Sequence, residues 1–231
     1  MGSFLFKLKY VMKHPEFVLQ YVVRANSIAT LLDVDVAIVK RYLREYKKVN
    51  AEIEESLKNY PYLGQMDKRK NQVLYALVRI TKPEIAVETG VAAGVSSSII
   101  LNAMKMNGRG RLYSIDADLR SFDGVTLPLG KPVGFLIPKD LREHWQLVIG
   151  FSKEVLEALL KKLETIDLFF HDSEHSYENM MFEYSTAWKY LKKGGLLVSD
   201  DIDLNNAFDD FATRQKVPFK KFYTLGVVKK V

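Results

Sequence analysis

The 231-residue sequence contains no cysteine, which excludes disulfide bridges and thiolate chemistry. No stretch reaches the roughly 18 consecutive apolar residues that a membrane-spanning helix needs. The N-terminus shows no small-residue cleavage site behind a long apolar core, so the expectation is a soluble, unexported, cytoplasmic protein. Internal repeats and low-complexity tracts are also missing. What remains, 48% hydrophobic and 27% charged residues, suits one globular α/β domain with an appendage.

The net charge of +6 is unevenly distributed. Residues 1–82 hold fifteen Lys/Arg against eight Asp/Glu, whereas 83–231 hold nineteen against twenty. The basic character therefore belongs to the N-terminal part. Such a surface suits an acidic partner, an anionic membrane or nucleic acid, and a merely solvated helical face reads the same way.

From Phe4 to about Tyr60 apolar residues recur at helical spacing, as in Ala37, Ile38, Val39, Tyr42, Leu43 and Tyr46, which predicts a helical arm. Asn59-Tyr-Pro61 and Gly64 interrupt it, and Gln65 to Thr81 reads as a further amphipathic helix that stops before Pro83. The apolar faces of these helices need cover from the main domain, from a role as lid over a binding site, or from a second subunit in a homo-oligomer. After Pro83 short apolar runs alternate with helical patterns. Strands are expected at Ile85–Glu88, Leu112–Ile115, Gln146–Ile149, Ile166–Phe170 and Leu196–Ser199, with helices near Ser96–Met106, Lys153–Leu163, Glu178–Leu191 and Asn205–Thr213. Strands alternating with helices imply a parallel sheet covered on both faces. Phe219–Tyr223 and Gly226–Lys230, around a turn at Thr224–Leu225, suggest a closing antiparallel hairpin. Residues Ser121 to Pro138 form the one long irregular connection. Trp145, Trp188, Phe169 and Phe182 fall in element patterns and read as core.

The first strand–helix unit reads Ile85-Ala-Val-Glu88-Thr-Gly90-Val-Ala-Ala-Gly94-Val-Ser-Ser-Ser. Gly90 and Gly94 permit backbone geometry and close approach that side chains forbid, which makes room for a bulky ligand. Open parallel sheets bind ligands beyond their strand ends, and the adjoining helix N-terminus offers unpaired N–H groups to a carboxylate. Glu88 suits a cationic amino group, directly or through water, and would repel a pyrophosphate. Together with a Gly-x-x-x-Gly loop in place of Gly-x-Gly-x-x-Gly, this argues against a nicotinamide or flavin site. Asp116 closes the next strand about 28 residues after Glu88, where a carboxylate can accept both ribose hydroxyls; Asp118 is the competing candidate.

These segments, followed by Phe170-His-Asp172-Ser-Glu-His175-Ser-Tyr177-Glu and Gly194-Gly-Leu-Leu-Val-Ser-Asp200-Asp201, resemble the class I methyltransferases of methyltransferase family 24 over roughly residues 72–231. The resemblance implies S-adenosylmethionine as cofactor and a Rossmann-like methyltransferase sheet, mostly parallel, with seven strands and a C-terminal antiparallel hairpin. With the break between Asn59 and Gly64, the chain is expected to divide into a helical arm, 1–64, for covering the site or for oligomerisation, and an S-adenosylmethionine-binding domain, 65–231. Relatives include enzymes that methylate hydroxyls of sugars and other small molecules, some with a divalent metal held by carboxylates at the ends of the fourth and fifth strands. The chain departs from its relatives after the third strand. Gly150-Phe151-Ser152 stands where an acidic residue is frequent, so Phe151 either stacks on the adenine or turns into the core, and Ser152 either meets the cofactor or caps the next helix.

In the parallel frame Asp172, Glu174 and His175 fall beside Asp200 and Asp201. Like charges so close call for a cation, raised pKa values or solvent. One resolution is Mg²⁺ or another divalent ion held by Asp172, Asp200 and Asp201, which would acidify a bound hydroxyl. The other is His175 as general base, partnered by Asp172. The loop Asp123–Gly134 is expected to wall the acceptor pocket. A small-molecule or glycan hydroxyl is the expected acceptor. Nucleic acid is disfavoured because no Asn/Asp-Pro-Pro-Tyr element occurs and the C-terminal part is nearly neutral. Two other readings stay open: a nicotinamide-dependent oxidoreductase on a similar sheet, and a non-catalytic module that binds polyanions through the basic arm.

Overall fold

A computed structural model describes residues 15–60, 67–119, 121–122 and 125–231 of the chain. Its centre is a seven-stranded sheet. The strands are β1 (Ile85–Thr89), β2 (Arg111–Asp116), β5 (Trp145–Ile149), β6 (Ile166–His171), β7 (Leu191–Ser199), β8 (Phe219–Phe222) and β9 (Leu225–Lys229), in the order β5-β2-β1-β6-β7-β9-β8. All pairings from β5 to β7 are parallel, and β9 runs antiparallel to both β7 and β8. This is the class I methyltransferase architecture that the sequence implies. The closing turn falls at Tyr223–Thr224, one residue earlier than its sequence suggests, with Tyr223 at φ 60°. Inside the irregular connection a two-stranded ribbon forms from β3 (Ser121–Phe122) and β4 (Val125–Thr126).

Successive residues of a strand face opposite sides, so a sheet covered on both faces needs apolar residues throughout. Ala86, Leu168, Phe170, Leu196 and Val198 enter one core, whereas Val87, Phe169 and Leu197 enter the other. The helices α4 (Val95–Asn107) and α3 (Lys68–Thr81) cover the first face. On the opposite side lie α5 (Ser152–Leu163), α6 (Tyr177–Tyr190) and α7 (Ala207–Gln215). Trp145, Trp188, Phe169 and Phe182 pack in or against these cores, as their patterns suggest.

The N-terminal helices join the first core. Helix α1 (Pro15–Leu32) ends at Asp33 in left-handed conformation, φ 58°, and α2 (Val36–Leu57) starts under a cap in which Asp35 accepts from the Ala37 N–H at 2.7 Å. Residues 1–14 and 61–66, including Pro61 and Gly64, lie outside the described residues. The buried stripe of α2, Val39, Leu43, Tyr46 and Val49, packs with α3. Ala25 and Ile28 of α1 belong to the same cluster as Leu225 and Val227 of the sheet. Of the three covers the sequence leaves open, the main domain supplies the one seen here. Arg79 of α3 ties the layers together: its Nε donates to Glu45 of α2 at 2.7 Å, and its guanidinium lies 4.5 Å from the Tyr42 ring centroid.

A polar network holds α6 to the carboxyl edge of the sheet. Glu183, completely buried in α6, accepts from Thr89 Oγ1 at the end of β1, from Ser173 Oγ at 2.7 Å and from Asn179 Nδ2 at 3.1 Å. His171 Nδ1, equally buried at the end of β6, lies 2.7 Å from Glu183 Oε2. Burial alone would raise the Glu183 carboxyl, but the charge and hydrogen bond of His171, helped by the hydroxyl donors, outweigh it and hold the group at about 2. A depressed carboxyl stabilises the fold above its unfolded value and loses that contribution as pH falls through the folded one. Unfolding followed by circular dichroism should therefore show stability dropping between about pH 5 and pH 2, with roughly 3 kcal/mol attributable to this group. Glu183→Gln should lower stability at pH 7 and flatten that acid limb; an unchanged limb would show that the network does not carry it.

Candidate active site

The carboxyl ends of β1, β2, β5, β6 and β7 open on one cavity of about 890 Å³, at the upper end of the range of roughly 300–1,000 Å³ usual for small-molecule sites. It is lined by the β1–α4 loop, by Asp116, by Phe151 and Ser152, and by Asp172, His175 and Asp201.

Glu88 lies beneath this cavity and not in its wall. Strand alternation turns it toward the first turn of α4, where it is completely buried and accepts from Ser96 Oγ and Ser97 Oγ at 2.6 Å and from Ser114 Oγ at 2.7 Å. Ser114 in turn accepts from Trp145 Nε1 at 2.9 Å. Burial pushes the Glu88 carboxyl up, opposed by the three hydroxyls. The carboxylate thus braces the loop from below, so direct contact with a ligand's amino group is not the geometry found. The serine run after Gly94 is the signal of this role.

The two glycines serve chain packing as much as ligand space. A Cβ on Gly90, φ 83°, would meet the Asp172 carbonyl oxygen at 1.8 Å. On Gly94, φ 93°, it would meet Ile137 Cγ1 at 2.7 Å. Gly90 lets the β1 and β6 loops touch, and it also lines the cavity. Asp116, half-buried, orders the same loop: its Oδ2 accepts from Val91 N at 2.8 Å and Ala92 N at 3.0 Å, and its Oδ1 from Asp118 N at 2.7 Å. A carboxylate has about four acceptor positions, so Asp116 keeps acceptor capacity toward the cavity while shaping the turn. Across from it, Phe151 exposes half of its surface on the cavity wall and does not enter the core. Helix α5 begins at Ser152 with Phe151 as its N-cap, so Ser152 is not the cap; its hydroxyl lies 3.4 Å from Asn179 Oδ1. Leu127 brings the irregular connection to the wall, while Asp123 and Gly124 lie outside the described residues.

At the other end of the cavity, Asp172 and His175 leave β6 together. His175 Nε2 lies 4.0 Å from Asp172 Oδ1, and the two side chains are 14% and 25% exposed, which leaves both reachable from the cavity. Burial raises the Asp172 carboxyl well above the usual carboxylate range, reinforced by Asp200, Asp201 and Glu88. Around them the backbone is fixed: Ser176 caps α6 by accepting from Asn179 N, Asn179 Nδ2 donates to the Glu174 carbonyl, and Asn205 Nδ2 donates to the His175 carbonyl.

Asp172, Asp200 and Asp201 do not form a metal-holding group: among the described residues no set of three such ligands converges. A lysine from α3 lies against two of these carboxylates. Lys70 Nζ lies 2.5 Å from Asp200 Oδ1 and 2.9 Å from both Asp201 Oδ1 and Thr224 Oγ1. Burial alone would lower the ammonium, but Asp200 and Asp201 raise it. Burial pushes Asp200 up to about 6 against the pull of Lys70, whereas Lys70 holds the more exposed Asp201 below the usual range despite partial burial. Sequence reasoning foresees a cation here and misses which one, because Lys70 sits 130 residues away on a helix whose charges read as solvated. It equally misses Glu183, Asn179 and Thr224, which carry no motif of their own.

Comparison with known proteins agrees with this geometry. No curated protein matches the sequence. The fold matches an O-methyltransferase from Bacillus cereus in complex with SAH (TM-score 0.55, 16% identity, 82% of this chain and 91% of that one). It also matches the SAH-bound methyltransferase PaMTH1 of Podospora anserina (TM-score 0.55, 15% identity, 78% of this chain and 86% of that one). Residues 87–202, half of the chain, match methyltransferase family 24, described as a methyltransferase domain. They span the strand ends from the glycine loop to Asp201, and the chain therefore belongs to that family and is an S-adenosylmethionine-dependent methyltransferase.

Proposed function

We propose that this methyltransferase transfers a methyl group to a hydroxyl oxygen of a small molecule or glycan, with His175 as the base. The observation that carries the reading is that one cavity joins the glycine loop and Asp116 at one end to the Asp172–His175 pair at the other. The Bacillus cereus neighbour, an O-methyltransferase, points the same way. The nicotinamide reading gives way to the family assignment, and so does the non-catalytic module.

S-adenosylmethionine supplies an electrophilic methyl on a sulfonium. In this reading the loop from Thr89 to Ser96 receives the amino-acid part of that cofactor, with N–H groups at the start of α4 toward its carboxylate. Asp116 takes ribose hydroxyls, and Phe151 offers a flat apolar surface to the adenine, with the Ser152 hydroxyl beside it. The acceptor enters beside His175, whose imidazole receives the hydroxyl proton as the oxygen takes the methyl. Asp172 Oδ1, 4.0 Å from His175 Nε2, positions the ring from the same loop. Ordering both reactants in one cavity supplies much of the rate, since methyl transfer needs the oxygen in line with the departing sulfur. Leu119, Leu127 and Leu204 give the cavity wall apolar surface suited to the carbon skeleton of an acceptor.

A panel of sugar, phenolic and aliphatic hydroxyl compounds, set beside amines, with labelled S-adenosylmethionine tests the reading. On the acceptor found, His175→Gln should reduce turnover by about 10²–10⁴-fold, the range for losing a general base, while S-adenosylhomocysteine affinity stays within about twofold. Full turnover in that variant would remove His175 from the chemistry. Transfer only to nitrogen acceptors would remove the hydroxyl.

The cofactor end is tested by Gly90→Ala against Gly108→Ala. Both residues have positive φ, but a Cβ on Gly108 meets nothing within 4 Å. The control should lose only about 1–2 kcal/mol of stability from left-handed strain. Gly90→Ala should lose more and weaken S-adenosylhomocysteine binding by at least about tenfold, measured by calorimetry. Equal behaviour of the two variants would show that contact between the β1 and β6 loops does not shape the site.

A further inference from the structure

A divalent ion shared by Asp200 and Asp201 would have to approach their oxygens to about 2.0–2.6 Å. Lys70 already engages those oxygens. Its ammonium has three N–H groups and three acceptors, Asp200 Oδ1, Asp201 Oδ1 and Thr224 Oγ1, all within 2.9 Å, and its side chain is only 8% exposed. An incoming ion would either expel the ammonium or bring two charges beside a fixed positive one where little water screens them.

The placement of Lys70 is built in. Helix α3 starts at a cap where Asp67 accepts from Arg69 N at 2.7 Å, and is buried along most of its length, so Lys70 enters the site from a fixed helical turn. Its targets are equally fixed. Asp201 holds a left-handed backbone, φ 45°, that costs energy outside glycine. Two further bonds keep it there, Thr224 Oγ1 to Asp201 Oδ1 at 3.2 Å and Ile202 N to the Thr224 carbonyl at 3.0 Å. Asp201 is the member of the cluster that reaches the cavity wall, so what Lys70 fixes is felt by a bound ligand.

We propose that Lys70 is the resident cation of the reaction mouth: it stands where a divalent metal ion would bind, makes methyl transfer independent of such an ion, and acts as a positioning residue by fixing Asp201 in the cavity wall. The inference rests on the Asp172–His175 end of the cavity being where the acceptor binds. It assigns a task to the helices ahead of the sheet, which deliver the charge.

The test is a Mn²⁺ titration of the full chain, followed through the paramagnetic resonance signal of free Mn²⁺, with S-adenosylhomocysteine binding measured in parallel by calorimetry with and without a chelator. The wild type should take up no Mn²⁺ at millimolar concentrations and bind S-adenosylhomocysteine equally well in both conditions. Lys70→Ala should bind Mn²⁺ at least about tenfold more tightly than wild type, and Lys70→Ala/Asp201→Asn should lose that gain. Lys70→Arg should behave as wild type. One Mn²⁺ per wild-type chain, weakened by Asp201→Asn, would overturn the proposal, as would a folded Lys70→Ala chain with no gain in Mn²⁺. Should Lys70→Ala fail to fold, the wild-type titration decides alone. The calorimetric heat reports on cofactor binding and the resonance signal on the lysine, so either reading can fail without the other.

Discussion

The carboxyl edge of a parallel sheet collects acidic side chains, and this molecule must keep Glu88, Asp172, Glu183, Asp200 and Asp201 close together at or near the floor of one cavity. An uncompensated buried carboxylate is costly enough to destabilise the fold around it or to take up a proton itself. Each is answered by a different device. Glu88 meets three serine hydroxyls, Glu183 a histidine with hydroxyl and amide donors, and Asp200 and Asp201 share Lys70. Asp172, which has only the more distant His175 beside it, is raised well above the usual carboxylate range by burial and its acidic neighbours. The rigidity of the site follows from these pairings, because the donors come from elements other than the one that carries the acceptor, Asn179 to Glu183 within α6 being the exception.

The sheet was legible because its evidence is periodic. Runs such as Leu168-Phe169-Phe170 and Leu196-Leu197-Val198 feed two cores at once, and only a strand covered on both sides has that composition. Asp116 could be placed on the cavity because strand ends are local, whereas Phe151 stayed open between cavity and core until its exposure was known. Glu88 could not be oriented correctly, since its side depends on strand parity relative to α4, and the serines that claim it lie a turn beyond the glycine loop. The compensation at Asp200 and Asp201 was foreseeable as a need and not as a residue. A lysine on an amphipathic helix looks solvated until the helix is known to be buried nearly all round, as α3 is.

That burial changes what the N-terminal part is. A basic surface ahead of a nearly neutral domain suggests a docking arm, yet α1 and α2 share a core with the sheet. The same segment brings Arg69 to 4.3 Å from the Tyr223 ring, one residue from Thr224, which Lys70 also contacts. Helix packing and site electrostatics are therefore coupled. Any shift of α3 that repacks the core also moves a positive charge at the strand ends.

The cavity is asymmetric in a way that suits a two-reactant enzyme. Its polar groups beneath the floor are engaged by other protein groups, which leaves them little freedom to reorganise during a reaction, and preorganised dipoles are the larger part of electrostatic catalysis. Its rim is the opposite: Phe151, Leu119 and Leu204 are exposed apolar side chains. Exposed apolar surface gathered at one opening gains when a ligand covers it. Binding energy would then come from the rim and chemical alignment from the floor, a division under which the rim can change with the acceptor while the buried pairings stay the same.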